Sequence, residues 1–253
     1  MKKSLFAFMI MLIATASLAQ ATKGKTTSTK PVQATPTKEV QPNQNQGMSI
    51  PAVFAEHFGR KYSIATRWGD YDVAKDALYD LITEFPGNDS LIFALSYFYF
   101  ENQKYANCVV VCNDLLARNS RNQAALELSG ISYENLNIKD KALQNYETLF
   151  LITNSSSTLY KMASLQYDLK KYTEASTNSD ILLSKPNLDS MKVVFNNAQE
   201  KSIEYPLRAA LLNLKGLTYK AQGDAVNAKK FFEEALKVDA TFDPAKKNLA
   251  TLK

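Results

Sequence analysis

The sequence predicts an all-α protein, an α-solenoid of about five helix-turn-helix units, and two observations support this prediction. Small and large apolar residues recur at a spacing of 34 residues, which is typical of stacked helical repeats. Within each period, two stretches carry apolar residues at the three- and four-residue spacing of an amphipathic helix. Two of the aligned series are Ala74, Cys108 and Ala142, and Leu81, Leu115 and Leu149.

The period extends to the end of the chain with one insertion. Ala175 follows Ala142 after 33 residues, and Ala228 follows Ala175 after 53 residues. An insertion of about 19 residues between the fourth and fifth units explains the longer step. The stretches "GDYDVAKDALYDLITEFP" and "GDAVNAKKFFEEALKVD" are therefore the second helices of the first and last units.

Each unit begins with a first helix that must approach its partner closely. The first of these helices is predicted from about Pro51 to Arg67, and "AALELSGISYENLN" and "AALLNLKGLTYKAQ" are later examples. A small residue at a helix crossing allows the two backbones to come near. Such residues occupy the eighth place of three units, at Gly130, Ala163 and Gly216, and the twentieth place of four units, at Ala74, Ala142, Ala175 and Ala228.

This period and pattern resemble the tetratricopeptide repeat family over about residues 50 to 253. The fifth unit matches the family signature best, and the first unit ends well, with Pro86 at the thirty-second place. Tyr62, Ser96 and Cys108 depart from the expected glycine or alanine. The matching residues of the fifth unit are Leu212, Gly216, Tyr219, Ala228, Phe232 and Ala235.

The C-terminal third contains two further elements. "DPAKKNLATLK" has Pro244 at a helix start and a polar surface, which predicts a terminal capping helix. The insertion, at about residues 187–208, contains the β-branched and aromatic runs "MKVVF" and "KSIEYP" around the polar "NNAQE". It favours a two-stranded hairpin, with an extended helix or a loop as the alternatives.

The N-terminus has the features of a secretory signal peptide at residues 1–21. Lys2 and Lys3 precede an apolar run from Leu5 to Ala14, and small residues follow. A membrane-spanning helix, the rival interpretation, would need about twenty apolar residues. Residues 22–47 are rich in Thr, Lys, Pro, Gln and Asn and predict a disordered polar tether. The repeat domain is then residues 48–253.

The net charge belongs to the N-terminal segments. Of the 30 basic and 25 acidic residues, six lysines and one glutamate lie in residues 1–47, which leaves 24 of each sign. A neutral repeat domain gives no support for nucleic-acid binding.

The sequence contains no recognisable catalytic or cofactor motif. His57 is the only histidine, so a metal site is not expected. We expect His57 to lie on the surface. Cys108 and Cys112 are four residues apart on one helix, which predicts buried packing thiols rather than a disulfide. Trp68 and most tyrosines are expected at packing places. We therefore predict a protein that is not an enzyme and needs no cofactor.

The family resemblance implies a partner-binding groove lined by the first helices. In this family the contact places are two, five, six, nine, twelve and thirteen of the first helix. Carried onto this chain, the contact residues come from the second, third and fourth units. They are Phe93, Tyr97, Phe100 and Glu101; Glu127, Leu128, Ile131 and Asn135; and Tyr160, Lys161, Ser164 and Tyr167. The alternative is that the neighbouring helix or the insertion fills in some of these rings.

The sequence thus predicts an exported scaffold that binds a partner protein or an extended peptide, with a role in cell-envelope assembly. A periplasmic or secreted location is expected, without a transmembrane segment after signal cleavage and without a lipoprotein cysteine. Glycan or peptidoglycan binding through exposed tyrosines is the alternative function. Leu128 and Ile131, lying between the aromatic sets, favour a peptide.

Overall fold

The computed structural model describes residues 49–196 and 201–252. The predicted signal peptide and tether, and part of the predicted hairpin turn, lie outside these residues. The described part contains eleven α-helices and one two-stranded sheet. The helices are α1 (Ile50–Trp68), α2 (Tyr71–Glu84), α3 (Asp89–Glu101), α4 (Tyr105–Arg118), α5 (Gln123–Asn135), α6 (Lys139–Thr153), α7 (Ser156–Asp168), α8 (Tyr172–Leu183), α9 (Leu207–Ala221), α10 (Ala225–Val238) and α11 (Asp243–Ala250).

The turn inside each unit is the most regular feature of the backbone. The fifteenth place has a left-handed conformation in all five units, with φ between 56° and 83°. The next residue donates its backbone N–H to the carbonyl five positions earlier, at 2.8 to 3.0 Å. This is the Schellman motif that ends an α-helix. The five fifteenth-place residues are Gly69, Gln103, Asn137, Lys170 and Gly223.

The chain divides into two compact units, and the boundary between Phe98 and Tyr99 falls inside α3. In the first compact unit α1 packs against α2. Alanine and leucine side chains of α2 are buried, as their helical spacing predicts. Lys61 of α1 donates to Asp80 of α2 at 2.9 Å, and its Nζ also contacts Asp76. An ion pair therefore joins the two helices at the edge of the apolar contact.

Trp68 does not occupy a packing place, and that prediction is wrong. Its side chain lies at the end of α1 and is 79% exposed. Ile64, one turn earlier, is 38% exposed, whereas Ser132 at the same place of α5 is fully buried. No described helix precedes α1, so within residues 49–196 and 201–252 nothing covers this side of the helix.

In the second compact unit each helix from α4 to α11 packs against the next, as in an α-solenoid. The main core lies between α5 and α9 and centres on Tyr146, Leu159, Leu182 and Leu211. Cys108 and Cys112 are fully buried, and their sulfur atoms lie 4.0 Å apart without a disulfide between them. The prediction of packing thiols is confirmed.

The predicted hairpin and capping helix are both confirmed. Strands β1 (Lys192–Asn196) and β2 (Ser202–Pro206) pair antiparallel, with Val194 opposite Glu204. Side chains alternate between an exposed face and a face that packs on the helices. Phe195 and Tyr205 contact Phe242, just before α11, with ring centroids 5.4 and 4.8 Å away. The helices therefore support a ribbon that would be marginal alone.

The small residues of the eighth place permit the close helix crossings that the sequence predicts. A Cβ atom added to Gly216 of α9 would lie 2.5 Å from Cε1 of Phe232, which is a fully buried residue of α10. At Gly130 of α5 it would lie 2.9 Å from Cε1 of the Tyr146 ring. In both pairs an aromatic ring occupies the space that the missing side chain leaves.

We expect Gly216→Ala to destabilise the protein by about 1 to 3 kcal/mol, because the added methyl group overpacks a contact that cannot relax outward. Gly59→Ala in α1 is the matched control, since a Cβ there meets nothing within 4 Å. It should stabilise the protein by up to about 1 kcal/mol through helix propensity. Chemical denaturation followed by circular dichroism measures both changes. Similar shifts for the two variants would contradict the crossing geometry.

Candidate partner-binding surface

The structure distributes the predicted site residues over both compact units. Phe93 and Tyr97 lie on α3 in the first compact unit and are half-buried. Phe100 and Glu101, at the end of α3, belong to the second compact unit. The Phe100 ring packs edge-on against Tyr105, with 5.8 Å between centroids, and Glu101 is exposed.

The predicted residues of α5 separate into accessible and buried side chains. Glu127 and Asn135 are exposed, and Ile131 is half-buried. Leu128 is only 7% exposed in the free chain, so its side chain offers a partner little surface. Spacings of three and four residues place Leu128 on the same helix face as the buried Ala125 and Ser132.

Tyr160 of α7 is the clearest case in which neighbouring elements fill in a predicted groove ring. It packs against the main core and against the cluster that contains Tyr205, Ala209 and Ala210. Val193 of β1 packs against the same two clusters. Burial raises the pKa of the Tyr160 phenol to about 12. The ring therefore belongs largely to the packing around the ribbon.

Lys161 of α7 is held in a polar network that sequence reasoning missed. Its Nζ donates to the Tyr146 hydroxyl at 3.0 Å and lies 3.7 Å from Oε1 of Glu134. The Tyr146 hydroxyl donates in turn to Glu134. Burial, followed by the hydrogen bond to Glu134, raises the Tyr146 pKa. Glu134 occupies the twelfth place of α5, so the contact places of the resemblance contained the signal.

Ser164 and Tyr167 complete the predicted set, and both are half-buried. The Tyr167 ring lies 5.9 Å from that of Tyr172 in a tilted arrangement. Burial is the main cause of the raised pKa of Tyr167. Next to it, Asp168 accepts a hydrogen bond from Lys139 at 2.7 Å. Tyr167 thus keeps an accessible part while its base is fixed.

The N-terminal half of the same helix face is buried in the fifth repeat unit. Ala210, Asn213 and Leu214 of α9 occupy places two, five and six and are all buried. The Asn213 amide oxygen accepts a hydrogen bond from Asn248 of α11 at 2.8 Å. Leu217, at the ninth place of α9, stays half-buried like Ile131 of α5. Most of the predicted contact residues that stay accessible in the second compact unit lie on α5 and α7. We call Glu127, Ile131, Asn135, Ser164 and Tyr167 the α5–α7 surface.

The described residues offer no evident site for metal chemistry. In residues 49–196 and 201–252, no three His, Cys, Asp or Glu side chains are grouped so that they could hold a metal ion. His57 is exposed, as predicted, and packs against the Phe58 ring. Within the same ranges, no helix is long and apolar enough to cross a bilayer.

The burial of Tyr160 predicts a specific alkaline response. A phenol ionises near pH 10 in an unfolded chain, whereas the pKa of Tyr160 in the folded chain is about 12. The neutral form is favoured by folding, so its contribution is complete below pH 10 and is lost as the pH rises to 12.

Raising the pH from 9 to 12 should lower the free energy of unfolding of the native chain more than that of the Tyr160→Phe variant. The difference should be on the order of 1 to 2 kcal/mol. Urea unfolding at the two pH values measures the difference. Equal losses would show that solvent reaches the phenol, and Tyr160 would return to the accessible surface.

Comparisons with known proteins agree with this architecture. The tetratricopeptide repeat family model matches residues 209–242, which cover α9 from Ala209 onward, α10 and the turn that follows. A search of curated proteins found no match.

Several solved structures have a similar fold. A tetratricopeptide repeat protein from Parabacteroides merdae is 19% identical, with a TM-score of 0.59, and the match covers 78% of this chain and 71% of that one. YrrB, described as a TPR protein with an unusual peptide-binding site, is 10% identical, with a TM-score of 0.58 and coverage of 78% and 97%. MamA from Desulfovibrio magneticus is 12% identical, with a TM-score of 0.56 and coverage of 78% and 99%. Residues 209–242 are thus a tetratricopeptide repeat, and the chain has the tetratricopeptide repeat fold.

Proposed function

We propose that this protein is an interaction scaffold that binds an extended segment of a partner protein on the α5–α7 surface. The observation that carries the proposal is the contrast between units. Places two, five and six of α9 are buried, whereas Glu127 at place five of α5 is exposed, and Ile131 and Tyr167 keep a partly accessible apolar surface beside polar side chains. Accessible apolar groups within a polar rim are typical of contact sites.

The chemistry of the surface favours a peptide with apolar and cationic side chains. Ile131 and Tyr167 supply apolar contact area, and Tyr residues are frequent binding hot spots. Glu127 supplies an exposed carboxylate, for which the structure gives no ion-pair partner within the described residues. Lys161 is already paired with Glu134 and Tyr146, so it is not available to neutralise a partner's carboxylate. The fold that the chain shares with YrrB is compatible with peptide binding.

We also propose that the chain is exported and acts in cell-envelope assembly, in the periplasm or after secretion. The support comes from the sequence of residues 1–47, with its signal-peptide pattern and its polar, lysine-containing tether. A tether of 26 residues has an r.m.s. reach of roughly 25 to 30 Å as a coil. It would let the repeat domain meet partners at some distance from the N-terminus.

Site-specific photocrosslinking in the native host tests the binding surface. With a photoreactive amino acid at Glu127, we expect a protein adduct whose mass identifies the partner. The same group at Lys229, an exposed residue of α10, is the matched control and should yield no such adduct. Adducts of equal yield at both positions would remove the α5–α7 surface as the site. Binding of purified peptidoglycan without any protein adduct would favour the alternative function.

Affinity for the identified partner gives the energetic test. Tyr167→Ala should weaken binding by about 2 kcal/mol or more if this ring is a hot spot. Tyr79→Ala removes the same side chain from α2, where it is 46% exposed, and should leave the affinity unchanged. Isothermal titration calorimetry measures both variants, and circular dichroism confirms that both remain helical. Equal affinities would contradict the proposed role of Tyr167.

A further inference from the structure

The ribbon has one open edge, and the proposed partner binding on α5 and α7 does not involve it. The Leu207 N–H donates to the Met191 carbonyl at 2.8 Å. This bond determines which residue pairs of the two strands are hydrogen-bonded and which are not. With the observed register, Val193 and Tyr205 form a hydrogen-bonded pair, as do Phe195 and Ile203. The backbone groups of the residues between them therefore point away from the partner strand.

On β1 these outward residues are Lys192, Val194 and Asn196. All three are exposed, and the Val194 side chain is 56% exposed. Within the described chain, no backbone hydrogen bond from another element reaches the amide or carbonyl of Lys192 or Val194. An edge strand with unpaired backbone groups is a ready template for another strand.

The two edges of the ribbon differ in the protection they have. On β2 the outward positions are Ser202, Glu204 and Pro206. Pro206 has no N–H to offer and leads directly into α9, so this edge is blunted. On β1 the strand "KVVFN" contains no proline and is rich in β-branched residues. An incoming strand would therefore add to β1.

The β1 edge is complementary to itself. A two-fold axis through Val194 would set two copies of β1 antiparallel, with each Val194 opposite the other and each Lys192 opposite Asn196. This register opposes no like charges, which would be unfavourable across a sheet. It pairs the two exposed valines and sets each half-buried Val193 opposite Phe195 on the packed face. The outward backbone groups of all three residues then find partners.

We propose that a second copy of this chain is the occupant of the β1 edge, so that two ribbons join into a four-stranded antiparallel sheet with β1 next to β1. The contact lies on the insertion and leaves Glu127, Ile131 and Tyr167 outside the strand pairing. One dimer would then carry two α5–α7 surfaces, and a bivalent scaffold binds a repeated partner more tightly through effective concentration.

Sedimentation velocity over a range of concentrations tests the proposal with the purified chain. The native chain should show a reversible monomer–dimer equilibrium. Val194→Lys brings two like charges face to face and should weaken dimerisation about tenfold or more. The matched control is Val226→Lys, which makes the same change at an 82% exposed valine of α10 and should not alter the equilibrium.

Disulfide trapping provides a second readout that does not depend on weakening the ribbon. Val194→Cys should form a covalent dimer under mild oxidation, because the axis brings the two side chains together. Val226→Cys should form far less. A native chain that stays monomeric at every concentration, or a Val194→Lys variant that dimerises as tightly as the native chain, would overturn the proposal.

Discussion

The close crossing between the two helices of a unit is the constraint on which the rest of this fold depends. Gly130 and Gly216 give their side-chain space to Tyr146 and Phe232 of the following helices. The left-handed residue at the fifteenth place then reverses the chain at a fixed distance from that crossing. The left-handed turn recurs in all five repeat units, and the eighth-place residue is small in four of them, so most helix pairs are built in the same way.

This constraint divides every first helix into a packed side and a side open to binding. In α5 the packed side contains Ala125, Leu128 and Ser132, while Glu127, Ile131 and Asn135 remain accessible. The insertion changes this division locally. The ribbon packs near Tyr160, and α11 contacts Asn213, so the chain itself covers part of this face on α7 and α9. We propose that a partner binds where α5 and α7 leave this face accessible.

The sequence was sufficient for the features that depend on local spacing. The 34-residue period predicts the helices, the eighth-place glycines predict the crossings, and the β-branched runs predict the ribbon. It was insufficient where burial depends on distant residues. Tyr160 has the ring that a groove place requires, but β-strands more than 30 residues away cover it. Trp68 is exposed because no described helix precedes α1.

Single-residue contact places also proved less reliable than helix faces. Leu128 and Glu127 are neighbours in sequence, yet a rotation of about 100° along the helix separates a buried side chain from an exposed one. The Glu134–Tyr146–Lys161 network joins three helices through residues that no local pattern connects. Such networks are visible only when the repeats are stacked.

The central claim is that α5 and α7 present the partner-binding surface, and hydrogen–deuterium exchange with the crosslinked partner tests it most directly. Exchange would be compared by mass spectrometry for the free chain and for the complex at saturation. We expect binding to slow the exchange of segments covering α5 and α7, with little change in α10. Slowed exchange confined to the ribbon or to α10, with α5 and α7 unchanged, would contradict the account.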